Sequence, residues 1–275
     1  MPQEFLLETF ERDRVEFLAH GAYENEALHQ MITVSIITHG HAAMVAQLLR
    51  DLMQCPEVTR IVLTRNLPEA AVAIPETLAD KLVCLDNPVP KGYGANQNAA
   101  FRHCQTHYFC VLNPDIRLHT NPFPALLAVL KKAKAGAAAP ISLNAQGMVE
   151  DNVRRFPRPH CLAAKAFGLT DGSYRSKPGA EPFAADWVGG MFMLFRSADF
   201  KAIHGFDEKY FLYYEDVDIC ARLWKAQRRV VACPQVTVVH NAQRASRRDL
   251  RHMRWHLQSM TRYFRKYLFR LPVAK

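Results

Sequence analysis

"TVSIITHGHAAMVAQLLRDLMQCPEVTRIVLT", residues 33–64, decides the fold. Its first six residues are a β-branched run that stops at His39-Gly40-His41. "MVAQLLRDLMQC" (44–55) then carries apolar side chains at helical spacing, and "RIVLT" (60–64) is a second β-branched run. The same alternation continues outward. "KLVCLD" (81–86) reads as a third strand, "NQNAAFRHCQ" (96–105) as a helix, "YFCVLN" (108–113) as a fourth strand and "FPALLAVLKKAKA" (123–135) as a helix. Strands alternating with helices predict an α/β fold with a single, mostly parallel central sheet flanked by helices. Such sheets bind ligands at the carboxyl ends of their strands.

The flanks are less regular. Residues 1–30 predict an amphipathic helical extension. Within 141–186, "RRFPRPH" (154–160) and "LTDGSYRSKPGAEP" (169–182) read as loops, and a long loop region in a compact domain is usually functional or mobile. "WVGGMFMLFR" (187–196), "RRVVACP" (228–234) and "VTVVH" (236–240) return to strand patterning, the last two as closing strands. Residues 244–275 predict a basic amphipathic C-terminal helix. Leu250, Met253, Leu257, Met260, Phe264 and Tyr267 or Leu268 share one face, and Arg247, Arg248, Arg251, Arg254, Arg262, Arg265 and Lys266 fill much of the rest. Two readings fit: a surface helix with its stripe on the core, or a helix that meets anionic lipid or a lipid-linked substrate.

Bulk properties narrow the class. Of 275 residues, 49% are hydrophobic and 22% charged, enough for a sizeable core and against extensive disorder. A net charge of +9 and a pI near 9.3 point to an anionic partner: nucleotide, nucleic acid or membrane surface. Seven scattered cysteines without a C-x-x-C pair suggest buried thiols in a reducing cytosol. No apolar run reaches membrane-spanning length and the start lacks a signal-peptide pattern, so the expected location is cytoplasmic, peripheral to the inner face of the membrane if the tail binds lipid.

Four constellations carry candidate chemistry. In "VLNPDIR", Asp115 follows a strand at its carboxyl end; it suits a hard divalent cation, or is part of an ordinary Asn-Pro-Asp turn. In "NPVPKGYGANQNAA", Gly92 and Gly94 precede a helix, where glycine permits close approach of a ligand and the helix terminus attracts anions. In "FLYYEDVDIC" (211–220), Glu215, Asp216 and Asp218 crowd behind aromatic residues; Asp216 or Asp218 would serve as an N-cap, but a cap needs one acid and here there are three. His240 ends "VTVVH", and His39 and His41 flank Gly40; each has a structural reading as well as a ligand reading.

The order of "VSIITHGH", "KGYGANQNAA", "VLNPD", "WVGGMFMLFR", "GFDEKYFLYYEDVDICARLW" and "VVH" resembles the family 2 nucleotide-sugar glycosyltransferases, closest to their bacterial rhamnosyltransferase-like branch, over residues 31–267. The resemblance implies the A-type glycosyltransferase fold within 31–243, as a nucleotide-binding half (31–118) and an acceptor half (119–243). It implies Asp216 as catalytic base in an apolar setting that raises its basicity, and Asp115 with His240 as ligands to Mn2+ or Mg2+. It places Thr38, His39, Gly92, Gly94, Asn96, Asn113 and Asp115 about the donor, and Trp187, Gly189, Gly190, Tyr214 and Glu215 toward the acceptor. The activity implied is inverting transfer of a sugar, rhamnose among the candidates, from a dTDP- or UDP-linked donor to a glycan or lipid-linked acceptor of bacterial surface polysaccharide. One position departs: relatives commonly carry V-D-N after the second strand, and here "LTRN" puts Arg65 in place of the base-contacting Asp. The competing readings are an inactive family member, or a basic nucleic-acid-binding protein, which the ordered motifs do not favour; no nucleic acid is expected as partner.

Overall fold

The computed structural model describes residues 31–159, 161, 172–241, 250–267 and 270–274. The expected extension at 1–30 lies outside the described residues, as do Arg247, Arg248 and Leu268.

β1 (Ile32–Thr38), α1 (Ala42–Leu52), β2 (Val58–Arg65), β3 (Leu82–Asp86), α2 (Tyr93–Phe101), β4 (Tyr108–Leu112) and α3 (Phe123–Lys132) follow the predicted alternation. β3, β2, β1 and β4 lie side by side and parallel, with β1 central. Every residue of β1 and β4 is buried, as expected of a sheet covered on both faces. Alternate residues of β4 serve different layers: Tyr108, Cys110 and Leu112 pack with α1 and α3, whereas Phe109 and Val111 join the aromatic layer of Phe195, Phe200 and Phe206.

The sheet is mostly parallel, as expected, but mixed: among the described residues three of its nine strands run against the other six. The order is β3-β2-β1-β4-β10-β6-β11-β5. β10 (Phe192–Arg196) runs antiparallel between β4 and β6 (Ala135–Leu143). β5 (Ile116–Arg117) and β8 (Phe183–Ala184) are antiparallel to β11 (Arg229–His240), while β6 and β11 are parallel. The two expected closing strands are one, β11, with a register shift between Cys233 and Thr237. β6, "AGAAAPISL", was hidden because alanine favours helix and Pro140 argues against a strand interior. Gly136 is closely packed: a Cβ there would lie 2.7 Å from Leu223 Cδ2 and 2.8 Å from Arg228 Cβ. β7 (Val153–Arg154) and β9 (Trp187–Val188) form a separate two-stranded ribbon. A 3-10 turn (Glu76–Lys81) and the helices α4 (Ser197–Ala202), α5 (Glu215–Lys225) and α6 (Leu250–Tyr267) follow in chain order among the remaining elements.

α6 corrects the expected stripe. Its second half packs through Ser259, Tyr263 and Tyr267, with Met260 and Phe264 partly buried beside them. Leu250, Met253 and Leu257 face outward, 80%, 57% and 51% exposed. Among the described residues no helix is long and apolar enough to cross a membrane, and no cysteine is disulfide-bonded.

Candidate active site

The first corner lies where β4 and β11 end. After β4 the chain turns tightly: Ile116 N–H donates to Asn113 O at 3.2 Å, and β5 then pairs with the end of β11, His240 opposite Ile116. This brings Asp115 and His240 together, with His240 Nε2 3.3 Å from Asp115 Oδ2. The other ring nitrogen, Nδ1, is 2.7 Å from Glu150 Oε2. Asp115 Oδ1 is buried without a hydrogen-bond partner. Burial alone would lower the His240 pKa, but the hydrogen bonds and charges of Asp115 and Glu150 outweigh it and raise the value.

These residues fit a divalent cation. Two ligand bonds of about 2.0–2.1 Å each easily span the Asp115–His240 separation, and an orphaned carboxylate oxygen is a donor without an assigned partner. Among the described residues no three His, Cys, Asp or Glu side chains form a complete metal cage. Magnesium-type ions are commonly held by one or two protein ligands with substrate phosphates supplying the rest. Glu150 escaped the sequence reading because it sits in a turn of "LNAQGMVED" far from any motif.

The second corner is the start of α5. Tyr213 and Tyr214 both have left-handed backbone, φ 70° and 66°. Such residues typically cost about 1–3 kcal/mol each and persist only where the surroundings impose them. No side chain caps the helix at Tyr214, so the capping role considered for Asp216 and Asp218 is not taken. Asp218 is instead completely buried, with Arg222, Lys266 and Tyr267 on its carboxylate. Asp216 accepts from Gly190 N–H at 3.1 Å and from Val217 N–H at 2.8 Å. Burial raises its carboxyl pKa, and those two N–H groups oppose the rise. Glu215, 6% exposed, is pushed up further by burial and by the Asp216 charge, and its Oε2 has no partner.

Residues 190–191 join the two corners. Gly190 holds Asp216 by its N–H and accepts the Tyr93 hydroxyl, at 2.5 Å, by its carbonyl. The next carbonyl, Met191 O, accepts from Asn113 N–H at 2.8 Å. The Asn-Pro-Asp turn and the Glu-Asp helix start therefore share one short piece of backbone. Trp187 leads into it, with its indole N–H donating to Arg155 O and Arg154 over its ring; Gly189 N–H donates to Asn152 O.

The third corner lies at the carboxyl ends of β1–β3. Thr38 is buried and donates to Glu69 Oε2 at 3.0 Å; the following His39 is exposed, its Nε2 2.6 Å from Asn66 Nδ2. Asn66 also binds the Lys91 backbone and Asn87. Asn96 is completely buried and turned into this loop, on Asn87 and Lys91 O, so it supports the loop rather than lining an open surface. The glycines permit a close approach to protein rather than to an open cradle: a Cβ on Gly92 would meet Phe211 O at 2.7 Å, and one on Gly94 would meet Phe206 Cβ at 2.8 Å. Arg65 makes a two-pronged ion pair with Asp86, its register partner on β3, at 2.5 and 2.7 Å.

α6 holds the strained turn before Asp216 from behind. Ser259 Oγ donates to Leu212 O at 2.8 Å, the Tyr213 hydroxyl lies 3.0 Å from His252 Nδ1, and the Tyr214 ring packs on Tyr263 with centroids 5.2 Å apart. The sequence offers this helix a contact with lipid or a lipid-linked substrate; its support of the turn before Asp216 comes from the folded chain.

The profile of "Glycosyltransferase like family 2" matches residues 29–258. The chain belongs to that family: it is a glycosyltransferase with the A-type fold, and the nucleic-acid-binding alternative falls away. It is similar to the "Rhamnosyltransferase WbbL" of Escherichia coli strain K12, 29% identical over 85% of this chain and 92% of that protein. It also matches the "N-acetylglucosaminyl-diphospho-decaprenol L-rhamnosyltransferase" of Mycobacterium tuberculosis, 31% identical over 50% of this chain and 48% of the relative. Among solved structures it resembles GalNAc-T7 with UDP, GalNAc and Mn2+, with a TM-score of 0.58 and 13% identity over 77% of this chain and 44% of the other. It likewise resembles the mannosyltransferase PcManGT of Pyrobaculum calidifontis with GDP-Man and Mn2+, with a TM-score of 0.56 and 15% identity over 85% of this chain and 64% of the other. At those identities the likeness speaks to the fold.

Proposed function

We propose that the protein transfers a sugar, rhamnose by likeness to the two rhamnosyltransferases, from a nucleoside-diphosphate donor to a glycan or lipid-linked acceptor of bacterial surface polysaccharide. The observation that carries this reading is the 190–191 bridge. It holds a carboxylate of raised pKa, Asp216, beside the turn that carries the Asp115–His240 pair. Residues 31–118 serve as the nucleotide half and 119–243 as the acceptor half.

The mechanism is a single inverting displacement. Asp216 takes the proton of the acceptor hydroxyl as that oxygen attacks the anomeric carbon. Gly190 and Val217 N–H groups fix the carboxylate, so it is oriented before the acceptor arrives. Burial and the Asp216 charge push the Glu215 carboxyl up, which favours its neutral form beside the base. Asp115 and His240 would hold Mn2+ or Mg2+, which supplies charge neutralisation for the departing diphosphate. Trp187 and Tyr214 border the acceptor side, where aromatic faces suit sugar rings. At the base end, Asp86 supplies an acceptor and Arg65 a donor, a pair that matches the N–H and carbonyl edge of uracil or thymine. In this reading Asp86 on β3 supplies the acid that "LTRN" lacks after β2.

A second feature favours a membrane-adjacent acceptor. Leu250, Met253 and Leu257 form an exposed i, i+3, i+7 stripe next to Arg251 and Arg254. An apolar stripe flanked by cations suits the surface of an anionic bilayer. A thermal-shift screen of dTDP- and UDP-sugars with Mn2+ tests the donor reading: a matching donor at 100 times its Kd stabilises the fold by about 2.7 kcal/mol. A flat response to every nucleotide-sugar would refute it.

A further inference from the structure

Glu150 is a carboxylate that the mechanism above does not use, on a turn no motif marks. Its surroundings leave it little freedom. Leu143, the last residue of β6, pairs with Val239 of β11 and bridges Val149 across a short hairpin. Asn144 Oδ1 accepts from Gln146 and Met148 N–H, Gly147 takes φ 75°, and Glu150 N–H donates to Ser142 O at 2.7 Å. These bonds involve backbone or Asn144, so the hairpin is built without the Glu150 side chain.

That side chain ends 2.7 Å from His240 Nδ1, with side-chain exposures of 15% and 13% for the pair. Nδ1 and Nε2 lie on different edges of the imidazole, and Nε2 is the one near Asp115. A carboxylate on Nδ1 fixes the tautomer that leaves the Nε2 lone pair for a cation, and it locks the ring orientation. The hydrogen bond is short, charged at one end and largely shielded from water, the kind that orients a side chain most firmly. The Nδ1 position of Glu150 also separates it from the cation's place between Nε2 and Asp115.

We propose that Glu150 is a positioning residue for the metal centre: its carboxylate holds the His240 ring with Nε2 turned toward Asp115 and thereby sets the affinity for the divalent cation. This rests on the metal reading given above. The sequence distance is 90 residues, bridged by the β6–β11 pairing and one hairpin.

The test is Mn2+ binding without turnover, followed by electron paramagnetic resonance of free Mn2+ in the presence of UDP or dTDP. Glu150→Ala should weaken Mn2+ by about 10–100-fold, the usual effect of removing such a partner. Glu150→Gln should stay within a few-fold of wild type, because its amide oxygen still accepts from Nδ1–H. Melting of the metal-free proteins should differ far less than their Mn2+ affinities. If Glu150→Ala does not fold, Glu150→Asp, one methylene too short to reach His240, gives the same comparison. Wild-type affinity in Glu150→Ala, alongside lost binding in Asp115→Ala, overturns this proposal alone. So does Glu150→Gln binding as weakly as Glu150→Ala. Unchanged binding in Asp115→Ala overturns the metal reading itself.

Discussion

Gly92→Ala probes the packing that places Asp216. The added Cβ would sit 2.7 Å from Phe211 O and 2.9 Å from Phe211 Cα, both backbone atoms that no rotamer change can move. Relief requires α2 and the 206–214 segment to part by roughly half an ångström, and overpacking of this kind typically costs about 1–3 kcal/mol. Tyr93 N–H donates to the same Phe211 carbonyl at 2.9 Å, so that bond stretches as well. Against this, replacing glycine stiffens the unfolded chain and returns about 0.4–1 kcal/mol. The net loss is about 0–2.6 kcal/mol, or up to roughly 10 °C of melting temperature for a chain of this size. The displaced segment leads through Tyr213 and Tyr214 into Asp216, and an ångström-scale misplacement of reacting groups can cost about 10²-fold in rate. Gly190→Ala is the stability control, since its Cβ would meet Asp216 Cβ and the Tyr93 hydroxyl at an ordinary 3.5 Å. Scanning calorimetry and a transfer assay on both variants read the outcome. Wild-type melting and wild-type turnover in Gly92→Ala would refute the argument that this contact positions the helix start.

Other outcomes follow from the same geometry. Glu215 titrates higher in the folded than in the unfolded protein, so its own contribution to stability is greatest below about pH 4 and falls by up to about 1.4 kcal/mol per unit as pH rises toward the folded value. The stability advantage of Glu215→Gln should therefore grow with pH in urea unfolding; a constant difference would show that Glu215 is not shifted. Tyr263→Phe should leave the melting temperature equal or higher, because the buried hydroxyl has no partner, whereas Tyr263→Ala should cost about 3–5 kcal/mol and lower turnover by freeing Tyr214. Replacing Leu250, Met253 and Leu257 by serine should release the protein from anionic liposomes in cosedimentation while leaving transfer to a soluble acceptor analogue intact. Equal sedimentation of variant and wild type would leave the stripe without a lipid role.

Local pattern in the sequence was enough for residues 31–118. β1, β2 and β4 are apolar, β-branched or aromatic, and separated by helical periods, so period and propensity agree there. Beyond residue 134 they part company: β6 is held as a strand by its neighbours despite five small residues in "AGAAA". The candidates Asp115, His240 and Asp216 stand out through ordered motifs, whereas Glu150 and α6 meet the candidate site through contacts that only the folded chain creates. The pairing of Arg65 with Asp86 is likewise a matter of β2–β3 register, invisible until the two strands are aligned. The aromatic residues before Asp216 explain themselves only in three dimensions, where two of them bear left-handed backbone and α6 packs behind.

The central claim is that Asp216 is the general base of a metal-assisted sugar transfer, and a single-turnover measurement with Asp216→Asn tests it most directly. With a saturating donor, Mn2+ and acceptor, the variant should transfer about 10²–10⁴-fold more slowly than wild type. Calorimetric affinity for the donor and the melting temperature should stay close to wild type, since asparagine keeps one acceptor oxygen for the Gly190 or Val217 N–H. Transfer by Asp216→Asn at the wild-type rate would contradict the account.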